Sequence, residues 1–164
     1  MTKLRLRAED IEDITIMSAY LQDAITMMGD IVYQAKSRCF VMMLNRFLWE
    51  NCCPETGEIL DDKEMGCSRI RTGLHFDDVL KITSQNIPTS RKEHPLELLS
   101  MEAWPHEDDK FHVDFIFSGN GIIRLECEMI SAHMKDIGAP WSAKCHPKHE
   151  ILDALKNETA KTTG

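Results

Sequence analysis

Long apolar runs are missing from this sequence. The longest, such as Phe40 to Leu44, are only a few residues, against the roughly 20 that a membrane-crossing helix needs. Positive charge is also scarce, with 19 Lys and Arg against 27 Asp and Glu and a net charge of −8. A sequence-independent nucleic-acid binder works through phosphate-neutralising cations, so neither nucleic acid nor a membrane is an expected partner. The basic pairs Arg69 with Arg71 and Arg91 with Lys92 read as solvated faces or loops within that acidic field. Also absent are a Cys-x-x-Cys pair, a Gly-x-Ser-x-Gly elbow and a local cysteine-protease signature, so no nucleophilic or redox motif is legible. The opening Met1 to Arg7 is basic but leads into Glu9-Asp10 rather than an apolar core, which predicts no export signal. Cys39, Cys52, Cys53, Cys67, Cys127 and Cys145 are then expected to be reduced thiols in a cytoplasmic protein, acting as small buried hydrophobes.

What remains is the composition of a globular protein, 43% apolar and 28% charged over 164 residues, enough for one ordinary domain with its own core. We read residues 1–158 as that domain and 159–164 as a frayed tail. The clearest element is a helix. Asp10 is a plausible N-cap, and Glu12 and Asp13 put negative charge where the macrodipole favours it. Ile11, Ile14, Ser18, Leu21 and Ile25 recur at alternating spacings of three and four, with Met17 and Ala24 widening the stripe, until Gly29 ends it. Strands are expected over residues 28–34, 39–50, 68–76, 79–84, 96–104, 111–118 and 122–133. Residues 51–66 are acidic and read as a long solvated loop. Gly138-Ala139-Pro140-Trp141 is expected to break the pattern, with a short helix over Glu150 to Lys156. The fold class is therefore α+β. An N-terminal amphipathic helix packs on an antiparallel six- to seven-stranded meander, as a bent sheet or a partly closed, pleckstrin-homology-like barrel.

The Ser118-Gly119-Asn120-Gly121 run invites a phosphate-loop reading, but such a loop must open a helix. IIRLECEM after it has period two, so the run is a hairpin tip. Placing both apolar sets on one face pairs Phe117 with Ile123, Phe115 with Leu125, Val113 with Cys127 and Phe111 with Met129. This leaves Gly119-Asn120-Gly121 as the loop, with Gly121 left-handed. On the polar face the same register sets His112 opposite Glu128 and Asp114 opposite Glu126.

No catalytic, cofactor-binding or metal site is assigned. His75, His112 and His133 lie in strand-like segments as candidate bases, and His112 with Glu128 is a candidate polar pair. Cys145, His146 and His149 form the most metal-like string, yet the adjacent Cys52-Cys53 lacks the paired spacing of a structural zinc site. Asp77-Asp78 and Asp61-Asp62 look like turns, because they lack the alternate-residue spacing of a calcium loop. Trp49, Trp104 and Trp141 are candidate anchors of a partner-contact rim.

The segments KLRLRAEDIEDITIMSAYLQDAI, RCFVMMLNRFLWE, GLHFDDVLKITSQNI and FSGNGIIRLECEMISAHMKDIGAPW resemble, in the same order, an uncharacterised alphaproteobacterial family, domain of unknown function 2948. The resemblance runs from Leu4 to His149 and implies a bacterial cytoplasmic protein whose gene often lies near histidine-biosynthesis genes. It carries no activity with it. Two readings follow. One is a non-enzymatic interaction module that binds a protein partner by strand addition or on the tryptophan rim. The other is a small-molecule binder or enzyme with a pocket between helix and sheet, holding groups such as His75, His112 or Arg46.

Overall fold

In the computed structural model, which describes residues 3–49 and 68–142, the chain begins with a strand rather than the helix. β1 (Arg5–Ala8) precedes α1 (Ile11–Leu21). Asp10 caps α1 as expected, its Oδ1 accepting the Asp13 N–H at 2.8 Å and satisfying one of the orphan donors of the first turn. Ile14, Met17 and Leu21 form the buried stripe. The stripe does not continue as helix to Ile25. Asp23 turns the chain with a left-handed φ of 62°, and the next residues enter β2 (Ala24–Gln34). Ala24 stays buried because a strand starting on the same layer also points its first residue inward, whereas Ile25 faces solvent.

Seven more strands follow: β3 (Cys39–Phe47), β4 (Ser68–Phe76), β5 (Val79–Gln85), β6 (Pro95–His106), β7 (Lys110–Phe117), β8 (Gly121–Cys127) and β9 (Ala132–Ser142). Among the described residues the sheet thus has nine strands, not six or seven. One of the additional strands is β1. Another arises because the apolar stretch 122–133 is two strands, interrupted at residues 128–131. Gly138 to Trp141 does not end the pattern but lies inside β9. There residues 138–140 stand opposite Ile70 alone, a bulge in which Gly138 takes a φ of 75°.

The strand order is β1-β9-β4-β3-β2-β6-β7-β8-β5, antiparallel at every pairing. It is not one meander. Two three-stranded meanders, β2–β3–β4 and β6–β7–β8, join along β2 and β6. The sheet is open, ending at β1 and β5, yet it has to curl. Only Asp77 and Asp78 separate β4 from β5, a link of at most about 11 Å, whereas their places in a flat sheet would be about 29 Å apart. Curling brings the two arms face to face. Phe115 on β7 packs 5.5 Å from Phe40 on β3 and 5.7 Å from Phe76 on β4, centroid to centroid.

The helix fills a specific gap in this arrangement. β2 pairs with β6 only from Pro95 to Leu98, so the remainder of β6 has no strand on that side. α1 packs there, and its Ser18 Oγ accepts the Met101 N–H at 2.8 Å, covering what would be an exposed sheet edge. No helix among the described residues is long and apolar enough to cross a membrane. The expected loop over 51–66, the helix over 150–156, the tail, and Cys52, Cys53, Cys67, Cys145, His146 and His149 lie outside the described residues.

The hairpin reading of the glycine run holds, but its register moves by two residues. Phe117 faces Gly121, Phe115 faces Ile123, Val113 faces Leu125 and Phe111 faces Cys127. The loop is Ser118-Gly119-Asn120, with positive φ at Gly119 (75°) and Asn120 (62°), while Gly121 has an extended backbone with φ −76°. At Gly121 a Cβ would come within 2.6 Å of Ile87 Cδ1, the tip of a side chain that would have to shift. A shift of two preserves every face, so the apolar pattern cannot distinguish the two registers.

Candidate functional site

The outer face of the β6–β7–β8–β5 arm brings two residues that the sequence marked, Trp104 and His112, together with charged side chains of the neighbouring strands. Directly opposed residues on neighbouring antiparallel strands share a face. Trp104, His112, Glu126 and Lys81 therefore form one row across the four strands, and Glu102, Asp114, Arg124 and Thr83 form the next. A groove of about 270 Å³ is lined by Lys81, Thr83, His106, His112, Arg124 and Glu126. It continues into a neighbouring hollow that shares Thr83 and Arg124 and adds Ser84, Gln85 and Ile122.

Arg124 organises the groove. Its Nε and NH2 hold the two Asp114 oxygens at 2.8 and 3.0 Å, and its guanidinium lies 5.2 Å from the centre of the Trp104 ring. This pairing keeps Asp114 nearly buried on an outer face and raises the Arg124 pKa further, so Arg124 stays a cation whose charge Asp114 offsets. His106 stacks on His112 with centroids 3.9 Å apart. Burial holds the His112 pKa below the ordinary histidine value, and the neighbouring His106 and Arg124 push it the same way against Glu126 and Asp114. A depressed histidine is a neutral donor and acceptor at neutral pH. Lys110 reaches Glu126 at 3.5 Å.

Two of the anticipated site residues, Trp104 and His112, meet here. The pair His112 with Glu128 does not form, because the two-residue register shift puts Glu126 opposite His112 and leaves Glu128 to Arg38, 3.2 Å away. The three tryptophans do not make one rim. Trp49 donates its indole N–H to Gln22 O, the C-cap of α1, at 3.0 Å and packs on Phe47 at 4.7 Å. Trp141 is exposed on β9 opposite Arg69. Nor do His75, His112 and Arg46 converge between helix and sheet. Arg46 is buried against Asp136, His75 sits partly exposed beside Asp77, and His112 is on the outer face.

Sequence reading missed His106, Lys81 and Thr83, and set Asp114 directly opposite Glu126 where the structure sets Arg124. A signal was available. The apolar alternation permits both hairpin registers, but only the observed one sets Asp114 against Arg124 rather than against Glu126, and opposite charges favour it. Among the described residues one further group has metal-ligand character: Cys39, His75 and Asp77.

No curated protein and no solved structure matches the chain. The profile of a family described as protein of unknown function (DUF2948) does match, over residues 4–149, and the chain belongs to that family.

Proposed function

We propose that the protein is a non-enzymatic interaction module that docks an extended, acidic segment of a partner protein along β5. The supporting observation is that β5 closes one end of the sheet immediately beside the Lys81–Arg124 groove. At its start β5 is tied to the β2–β3 hairpin, where Val79 N–H donates to Arg38 O at 2.9 Å and the Tyr33 hydroxyl donates to Val79 O at 2.8 Å. From Lys81 to Gln85 it has no second strand among the described residues. Its backbone groups on that side can form a ladder with an added strand, and the side chains alternating toward the groove would meet Lys81, Thr83 and Arg124. The groove is smaller and more polar than an ordinary metabolite pocket, which favours side-chain recognition over enclosure of a small molecule.

The test is capture from the native host by the wild-type protein and by Lys81→Glu, with cross-linking and amide hydrogen exchange on the captured complex. The expected result is a partner held by the wild type and lost with Lys81→Glu, cross-linked to β5, with slowed exchange at residues 81–85. Capture that is indifferent to Lys81→Glu, with β5 exchange unchanged, would overturn the reading. A metabolite that protects the groove in the absence of any protein would replace it with the small-molecule alternative.

A further inference from the structure

Away from the groove, three metal-ligating side chains meet at the corner where β3 begins and β4 ends. Cys39 is the first residue of β3, His75 stands on β4 opposite Val41, and Asp77 follows β4 directly. One ligand atom from each, a thiol sulfur, a ring nitrogen and a carboxylate oxygen, lies within 4.8 Å of the other two. Atoms bound at about 2.0–2.3 Å to one centre are separated by such distances.

The contact between two of them points the same way. His75 Nε2 comes within 3.0 Å of Asp77 Oδ1, yet this nitrogen is shielded from solvent and makes no hydrogen bond. A hydrogen bond would aim a proton at the oxygen lone pair. Two ligands of one cation instead aim both lone pairs at a third point, which leaves them close and unbonded. The shielded nitrogen otherwise stands as an unsatisfied polar atom, which folded proteins rarely keep.

We propose that Cys39, His75 and Asp77 form a binding site for a divalent transition cation of the zinc class. A thiolate and an imidazole among the donors disfavour magnesium and calcium, which take oxygen ligands. Thiolate and carboxylate together offset the charge of the ion, and the Cys39 thiol releases its proton to solvent on binding. His133 faces His75 across the β4–β9 pairing with ring centroids 6.1 Å apart but is not part of the three-residue group, so the fourth position of the ion is left to water. The ligands sit on a rigid frame: β3 pairs with β4, β4 with β9, and the Asp77 N–H donates to Ser131 O at 2.9 Å. All three are only partly buried, so the ion can enter without unfolding. Bound there, it would cross-link the corner at which the chain passes from one arm of the sheet to the other.

Cys127 is buried in the core, and the other four cysteines require a background in which they cannot answer for Cys39. The probe is cobalt(II) added to metal-free full-length protein carrying Cys52→Ser, Cys53→Ser, Cys67→Ser and Cys145→Ser. The expected result is one equivalent bound, with thiolate-to-cobalt charge-transfer absorption and the visible bands of a four-coordinate ion. Adding Cys39→Ser should abolish the charge-transfer band, and Asp77→Asn or His75→Ala should weaken binding about tenfold or more. Zinc should raise the melting temperature of the background protein and leave that of the Cys39→Ser version unmoved. Circular dichroism on each variant separates loss of the site from loss of the fold. Absence of charge-transfer absorption in the folded background protein, or its persistence after Cys39→Ser, overturns the proposal.

Discussion

Arg46 and Asp136 meet in a bidentate pair, Nε to Oδ1 at 2.8 Å and NH2 to Oδ2 at 2.7 Å, with side-chain exposures of 0% and 2%. Thr72 donates its hydroxyl to Oδ1 at 2.9 Å and Leu4 donates its N–H to Oδ2 at 3.3 Å. The carboxylate thus ties together β3, β4, β9 and the segment leading into β1. Two charges withdrawn from water are tolerated because the geometry is good and the remaining lone pairs are satisfied.

Removing one partner should therefore be costly. Asp136→Ala is expected to lose about 3–5 kcal/mol in a urea melt, because it strands the Arg46 charge, whereas replacing both residues with apolar ones of similar volume should cost far less. The pair also sets a pH dependence. Burial pushes the Asp136 carboxyl up, but hydrogen bonds from Arg46 and Thr72, the Arg46 charge and the Leu4 N–H outweigh it, leaving its pKa below the ordinary value. The unfolded state then binds the proton more readily, so this contribution is complete above the ordinary carboxylate range and is lost as pH falls through the lower, folded value. Asp136→Asn should flatten the stability curve below about pH 4. Parallel curves for wild type and Asp136→Asn would show that the pair contributes nothing there.

The two glycines of the last hairpin should fail differently. At Gly119, where φ is 75° and open space surrounds the missing Cβ, alanine is expected to cost about 1 kcal/mol and asparagine less, since asparagine tolerates the left-handed region. At Gly121 the obstacle is Ile87 Cδ1 at 2.6 Å. Ile87→Val removes that atom, so the double variant with Gly121→Ala should be more stable than the two single costs predict. A double-mutant cycle by denaturant unfolding reads this, and strict additivity would be the contrary result.

His112 should titrate below the ordinary histidine value of about 6.5, because burial, His106 and Arg124 all disfavour its charged form. Arg124→Gln removes a cation and releases Asp114, and both changes raise the His112 pKa. Histidine proton resonances followed against pH measure the shift directly. Since the folded pKa is the lower one, the associated stability is lost as pH falls through the ordinary histidine range, and His112→Gln should remove that part of the slope.

Burial, with Asp78 and Glu126 nearby, pushes the Cys127 thiol up to about 12. The thiolate is the reactive form, so iodoacetamide at mildly alkaline pH should leave Cys127 unlabelled in the folded protein and label it in denaturant. Peptide mapping by mass spectrometry distinguishes it from the other cysteines. Rapid labelling without denaturant would contradict its place in the core.

Local chemistry was legible where it is local. Asp10 and the stripe through Ile14, Met17 and Leu21 marked the helix, alternation marked β7 and β8, and the run 118–121 announced a turn. The hairpin register escaped because a period-two pattern looks the same after a shift of two. The groove escaped with it, since Lys81, His106, His112 and Arg124 come from four strands. Cys39 and His75 have no motif spacing in the chain and meet only through the β3–β4 pairing.

The sequence by itself determined which faces are apolar, where the helix begins, and that strands dominate after it, because these depend on neighbours within a few residues. Tertiary structure alone decided the strand order, the curl forced by the Asp77-Asp78 link, the burial of Arg46 against Asp136, and the company kept by His112. Each of those depends on contacts between distant segments, whose partners are chosen by the packing of the whole sheet.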